Sequence, residues 1–509
     1  MTNKLCAYYI STNAPPSDTE AASLQTEIND LLARVAQTEE RIRRRRSVLS
    51  AVRRLPEEIL GEIFVCLLPE ILDFRGRTDL ITLCLVCKSW RNAAMLCHRL
   101  WRGLGVCKSQ LSFDGVIKWL ERSAALPKAL EVLHEEGDDG IQLASTALSR
   151  LLVEGLFLDH LTLEWPDTGV LLDALEVSEV SKLSRPLDHL KSLTLDLTSL
   201  WDSQRINVEP IFLNLPPTVI CFQIHLPWYD ADIFEHLDPF LDLPESFSRN
   251  LCALTIVTDW NVRHTFELLK YCSNLETLTL VSGRPPYPLD DLIEPIPLKF
   301  PKLQTLKVEN APFDLVANLA ALTTPSLLNL DIQFAFYDDF NSAPHRATQY
   351  LHSFLASKSN CAQTLQSLNL GRLSGVPTDK LVQILEHLPS LTCLALCGLN
   401  TEEHGGLFYA LFHRRKNSNG EACKSILPCL EVLELIEVDQ DYDFYWLPRF
   451  INLGEPRRLQ DANNQLHDDH PFQRLTVSRR KRTIGKNLEG YLRLCQRGRV
   501  TVEVFGLVD

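Results

Sequence analysis

The sequence predicts an α/β repeat fold entered through an all-α N-terminal region. Three observations predict it. From residue 158 onward the pattern Leu-x-x-Leu-x-Leu recurs with substitutions, starting at Leu158, Leu190, Val219, Leu251, Leu275, Leu303, Leu327, Leu365, Leu391, Leu430 and Phe472. Between copies, segments 265–271, 314–322 and 380–388 carry apolar residues at helical spacing. Upstream, residues 24–64 show heptad and then amphipathic helical periodicity.

At 509 residues the chain is too long for one compact core and suggests two or three structural units. Apolar residues make up 45% and charged residues 23%, an ordinary globular composition. The net charge of −14 argues against a general nucleic-acid binder. No run of about 18 apolar residues appears, so no membrane span is expected. The stretch Leu5–Ile10 behind Lys4 is too short, and the chain beyond Ile10 too polar, for a secretory signal. The 15 cysteines are odd in number and scattered, which speaks against a disulfide framework. The expectation is an intracellular protein, cytoplasmic and/or nuclear.

Taken in order, residues 1–17 read as a disordered N-terminus and residues 18–54 as a heptad helix capped near Ser17-Asp18 or Ser23. Leu24, Ile28, Leu31, Val35, Thr38, Ile42, Arg45, Leu49 and Val52 recur at steps of four and three, a coiled-coil seam weakened by Thr38 and Arg45. This helix could pair two chains into a homodimer or fold back along its neighbouring segment. The run Arg41–Arg46 is either a solvated face or an import or phosphate-binding patch, and so is 479–482.

Residues 55–101 begin with Leu55-Pro56-Glu57-Glu58-Ile59-Leu60 and continue through Ile63-Phe64, Asp79-Leu80, Val86-Cys87-Lys88-Ser89-Trp90-Arg91 and Leu100-Trp101. Pro56 suits the first turn of a helix, and Glu57 and Glu58 complement the positive end of its dipole. A segment this short cannot bury its apolar face alone, so that face needs a neighbour or a partner. Cys84 and Cys87 make a C-x-x-C without a second pair, too few ligands for zinc.

These blocks resemble an F-box, the helical module that docks on the Skp adaptor of cullin–RING ubiquitin ligases. The resemblance implies adaptor contacts by Leu55, Pro56, Ile59, Leu60, Ile63 and Phe64, with Val86 and Trp90 in support. Lys88, where arginine is frequent, and Cys97-His98, where a proline is common, depart from the pattern without removing a large apolar contact. Residues 102–157 read as a linker or capping region. Within them, Trp119-Leu120-Glu121-Arg122-Ser123 resembles the segment that comes after the F-box in a large family from mushroom-forming fungi, whose members often carry a helix before the box.

Residues 158–509 resemble a leucine-rich-repeat domain, in which each strand–helix unit buries its face against the next. Pro301, Pro325, Pro389 and Pro428 precede copies as Pro-x-Leu, ending one helix and setting up an extended strand. Spacings of 24–42 residues and the lack of an asparagine after the motif predict an irregular leucine-rich-repeat solenoid with long loops. The runner-up is an ordinary α/β domain with a parallel sheet.

Alternation along each strand sends one set of side chains to the core and the other to an open face. That face holds few basic residues, so it suits a protein partner better than nucleic acid. Beyond three strand ends lie Trp228-Tyr229, Tyr337-Asp338 and Tyr442 with Tyr445, which are candidate substrate anchors or rings packed under their own loops. No glycine-rich phosphate loop, nucleophile elbow or metal-ligand motif is found, and no cofactor is implied. The reading is a non-catalytic substrate receptor that bridges the Skp adaptor and an unknown protein substrate. The alternative is a non-ligase leucine-rich-repeat binding scaffold.

Overall fold

The structure is a computed structural model. It describes residues 10–12, 15–49, 51–134, 141–164, 186–198, 215–226, 243–260, 262–283, 296–335, 343–358, 361–373, 376–412, 426–439, 442, 444–445, 447, 472–479 and 501–506. The chain forms two compact units, Met1–Leu100 and Trp101–Asp509. Most of the N-terminal segment 1–17 expected to be disordered lies outside the described residues, while 10–12 are helical.

The first unit is built on α1 (Asp18–Val48), α2 (Glu57–Leu67), α3 (Phe74–Val86) and α4 (Lys88–Leu96). A capping box starts α1, the Glu20 carboxylate accepting the Ser17 N–H at 3.1 Å. Pro56 is the N-cap of α2, which carries Glu57 and Glu58 in its first turn. Asp73 caps α3, accepting the Gly76 N–H at 2.7 Å. Helix α4 packs against both α2 and α3. Its close approach to α2 depends on Gly61, where a Cβ would lie 3.0 Å from Cys97 Cβ. Across the same contact Asn92 donates to Glu57 at 3.3 Å and Arg99 pairs with Glu62 at 2.9 Å.

In the second unit the chain lays down one parallel strand per repeat. The strands are β1 (Gly103–Cys107), β2 (Ala129–Leu133), β3 (His160–Glu164), β4 (Ser192–Asp196), β5 (Cys221–His225), β6 (Ala253–Thr258) and β7 (Thr277–Ser282). They continue with β8 (Leu298–Lys299), β9 (Thr305–Ala311), β10 (Leu322–Thr323), β11 (Asn329–Phe334), β12 (Ser367–Gly371), β13 (Cys393–Cys397), β14 (Val432–Val438), β15 (Arg474–Arg479) and β16 (Thr501–Gly506). Fourteen form a single sheet in chain order, while β8 and β10 pair separately. Successive helices α5 (Val262–Leu268), α6 (Phe313–Leu319), α7 (Ala343–Ser353), α8 (Thr378–Leu385) and α9 (Leu407–Phe412) pack each on the next. This is the α/β repeat architecture the periodicity predicts.

Three apolar ladders fill the core. The leading residues from Leu158 to Phe472 are all buried. The first strand leucines stand in register from Leu193 through Phe222, Leu254, Leu278, Leu306, Leu330, Leu368, Leu394 and Leu433 to Leu475. None of these is more than 2% exposed. The sheet starts earlier and ends later than the motif copies, because β1 and β2 keep the alternation (Leu104/Val106, Leu130/Val132) and β16 pairs with β15, yet none of the three has a leading leucine. Segment 102–157 thus carries two strands of the sheet.

With no asparagine after the motif, the repeats are joined in two other ways. One carbonyl ahead of each strand accepts two successive N–H groups of the next repeat; Glu276 takes Gln304 and Thr305, and Gln304 takes Leu328 and Asn329. This joint recurs from Lys128 to Glu431. Just before the leading leucine, a short polar side chain donates to a carbonyl of the preceding repeat. Asn250 reaches Pro217 O at 3.0 Å, Asn274 reaches Arg249 O at 2.6 Å, Ser326 reaches Pro301 O at 2.7 Å and Ser390 reaches Gln363 O at 2.7 Å.

A left-handed residue comes after the fifth strand position at Asn310 (φ 49), Arg372 (φ 56), Gly398 (φ 84) and Glu437 (φ 53). Ala124, ahead of β2, is a more strained case at φ 53 and ψ −124, a conformation that costs an L-residue roughly 1–3 kcal/mol. Its side chain is exposed. Ala124→Gly is therefore expected to stabilise the second unit by about 1 kcal/mol, read as a higher midpoint in denaturant unfolding.

Candidate functional site: a helical face and an open sheet face

Helix α2 is apolar on two sides, and the unit buries only one. Leu60 (2% exposed) and Phe64 (1%) point inward, and the Phe64 ring meets Trp90 at 5.2 Å between centroids. Ile59, Ile63 and Leu67 recur at steps of four along the other side and are 48%, 39% and 67% exposed. On α3, Phe74, Ile81, Leu85 and Val86 are likewise exposed. A unit of this size leaves such a surface in water only where something else covers it.

The expected adaptor contacts therefore divide. Ile59, Ile63 and Val86 lie on the exposed apolar surface, Pro56 is exposed, and Leu55 and Trp90 are half-buried. Leu60 and Phe64, expected on the docking face, belong to the core of the unit, because α4 covers their side of α2. Leu67, Phe74, Ile81 and Leu85 extend the surface beyond the residues picked from the sequence. Their signal was the continuing i, i+4 spacing of Ile63-Leu67 and Ile81-Leu85.

On the second unit, the first, third and fifth residues of strands β3 to β7, β9 and β11 to β14 face away from the core. Charges there are largely matched within the face. Lys307 pairs with Glu309 at 2.6 Å and Arg474 with Glu434 at 3.3 Å. Asn369 donates to Asp331 at 3.0 Å, although burial holds the Asp331 carboxyl above its ordinary range. At β4 and β5, Asp196 meets His225 Nδ1 at 3.2 Å and accepts from the Thr198 hydroxyl at 2.6 Å, with Gln223 Nε2 at 2.7 Å from His225 Nε2. Burial pushes the Asp196 carboxyl up, but the hydrogen bonds from His225 and Thr198 together outweigh it and bring it down to about 2.

Burial raises the thiols of Cys221 and Cys393 on this face, and that of Cys272 in the core to about 12, so none is poised as a thiolate. Small residues and paired charges make up this face, with Ala395 buried and Ile436 half-buried among them.

Of the aromatic anchors, Trp228, Tyr229, Tyr337 and Asp338 lie outside the described residues. Tyr442 is a core residue and not an exposed anchor: it is 4% exposed, packs edge-on against Phe444 at 5.1 Å and donates its hydroxyl to His404 O at 2.9 Å. His404 is itself fully buried, and burial holds its imidazole below its ordinary value. Tyr445, 43% exposed, remains at the surface. Among the described residues, no cluster of three or more His, Cys, Asp or Glu could hold a metal ion. No described helix is long and apolar enough to cross a membrane.

A comparison with protein families matches residues 52–106 to the F-box-like family. Residues 52–106 form an F-box-like domain. Its described α-helices are α2 to α4, and the match runs on into β1. Among solved structures, the leucine-rich repeat-containing protein LegL7 from Legionella pneumophila is similar to 66% of this chain and over 87% of its own, at 13% identity and a TM-score of 0.33. No curated protein matches the chain.

The inward and outward sides of α2 separate by mutation. Phe64→Ala is expected to cost about 3–5 kcal/mol and Ile63→Ala under about 1 kcal/mol, measured as loss of the helical unit's unfolding transition. At Asp196, a carboxyl lowered from 3.8 to about 2 adds stability above pH 4 that is lost as the pH falls toward 2. Asp196→Asn is expected to remove about 2 kcal/mol of that acid-labile stability, visible as a flatter limb between pH 4 and pH 2 in thermal unfolding.

Proposed function

We propose that this chain is the substrate-recognition subunit of a Skp–cullin–F-box ubiquitin ligase. The observation that carries this reading is the pair of exposed apolar stripes on the F-box-like domain, Ile59-Ile63-Leu67 on α2 and Ile81-Leu85 on α3. A Skp-type adaptor would cover them, removing surface worth about 25 cal/mol per Å² from water. The repeat unit would hold the target on its open face, where matched charges leave room for shape and hydrogen bonding to select a protein surface.

Joining the two surfaces in one chain raises the effective concentration of target lysines at the ligase's loaded enzyme. The chain contributes proximity and orientation, and other subunits contribute the chemistry. It would act inside the cell, in the cytoplasm or the nucleus, where such ligases operate.

The test is capture of purified Skp adaptor by the full chain. Wild type is expected to bind, and Ile59→Asp/Ile63→Asp to lose binding by at least tenfold with an unchanged circular dichroism spectrum. Folded wild type that captures no adaptor overturns the ligase reading and leaves a binding scaffold.

A further inference from the structure

Helix α1 has an apolar seam that no described residue of its own chain covers. Along its 31 residues and the turn beyond, Ile28, Leu31, Val35, Ile42 and Leu49 are between 46% and 79% exposed. The seam is continuous at heptad spacing, with Ile28, Val35, Ile42 and Leu49 at one core position and Leu24, Leu31, Thr38 and Arg45 at the other. A long helix takes most of its stability from packing such a stripe, so the seam calls for an occupant that the described residues do not supply.

Charge identifies that occupant. Residues 18–30 contain Asp18, Glu20, Glu27 and Asp30 and no Lys or Arg, a net −4. Residues 31–48 contain six arginines against Glu39 and Glu40, a net +4. The helix dipole accounts for the end charges, Asp18 and Glu20 in the first turn and Arg45 and Arg46 in the last. It does not account for Glu27, Asp30 or Arg41 to Arg44, which lie further in. A helix divided in this way is complementary to itself, but only when reversed.

We infer that α1 pairs with α1 of a second copy of this chain as an antiparallel two-stranded coiled coil. In the register that sets Leu24 against the partner's Leu49, Leu31 meets the partner's Ile42 and Val35 meets the partner's Thr38. Arg45 then faces the partner's Ile28, Glu27 lies level with the partner's Arg46, and Asp30 with the partner's Arg43. A parallel pair would stack Arg45 on its own copy in the core and set two arginine-rich halves side by side, within one Debye length of about 10 Å. Antiparallel pairing avoids both penalties. It also sends the two F-box-like domains to opposite ends of a pair on the order of 45 Å long. The inference stands independently of the function proposed above.

Sedimentation equilibrium of the full chain tests it. Wild type is expected at twice the chain mass, with dissociation strengthened at least fivefold as salt rises, because opposite charges are being screened. Val35→Asp/Ile42→Asp is expected to be monomeric with the unfolding transition of the repeat unit unchanged, since both residues belong to the other unit. Orientation is read by oxidative cross-linking and then peptide mapping. Leu24→Cys chains mixed with Leu49→Cys chains are expected to link to each other, and Leu24→Cys chains not to themselves. Wild type that stays monomeric, a dimer that survives the Asp substitutions, association that tightens with salt, or Leu24→Cys self-linkage would each overturn the proposal.

Discussion

From Lys128 to Glu431, one carbonyl ahead of each strand of the large sheet accepts two successive N–H groups from the next repeat, and the rest of the second unit depends on this joint. It fixes where a strand begins relative to its neighbour, and that sets the register of everything after it. Once Gln304 and Thr305 are held by Glu276 O, Leu306 must fall beside Leu278 and Val308 beside Leu280. A slip of one residue would turn these side chains to the open face and Lys307 to the core. The apolar ladders make that slip costly, and the joint makes it geometrically awkward. Neither feature involves the loops between strands, so repeat length can vary from 24 to 42 residues without disturbing the sheet.

The side-chain tie before each leading leucine obeys the same logic. Asn250, Asn274, Ser326 and Ser390 are short, hold a donor close to the backbone, and stand at the corner where one repeat turns over the last. They do from the front of the motif what an asparagine ladder does from behind it. The left-handed residues at Asn310, Arg372, Gly398 and Glu437 bring the chain out of the strand at the other end. Each repeat is therefore bracketed by two corners, with the apolar alternation between them.

Much of this could be read from the residues. The Leu-x-x-Leu-x-Leu copies mark the strands of the large sheet from β3 to β15, because their leading and alternating leucines are also the buried ones. Strands β1, β2 and β16 carry no such mark, because Trp101, Pro127 and Arg499 stand where the leading leucine would be. On α2, spacing alone could not say which apolar side was covered. Ile59-Ile63 and Leu60-Phe64 are both i, i+4 pairs, and only the position of α4 decides that the second is inside. Tyr442 is undecided from the sequence for a similar reason: an acidic, aromatic run suits exposed anchors or rings packed under their own loop, and its hydroxyl on a buried carbonyl and its ring on a phenylalanine decide for the second.

Because every joint connects a repeat only to its immediate neighbours, contacts between strands of the second unit span one repeat and not the length of the chain. Folding of such a chain closes one repeat-length segment at a time, with no chain-spanning loop to close first. Order can begin wherever the local core is densest, as around Leu303 to Leu396, where the ladder residues are almost wholly buried. It can then spread outward one strand at a time. On a ribosome, which releases the N-terminal repeats first, the early strands can settle while later ones are still being made. The corner bond thus suits vectorial assembly, in which each repeat serves as the template for its successor.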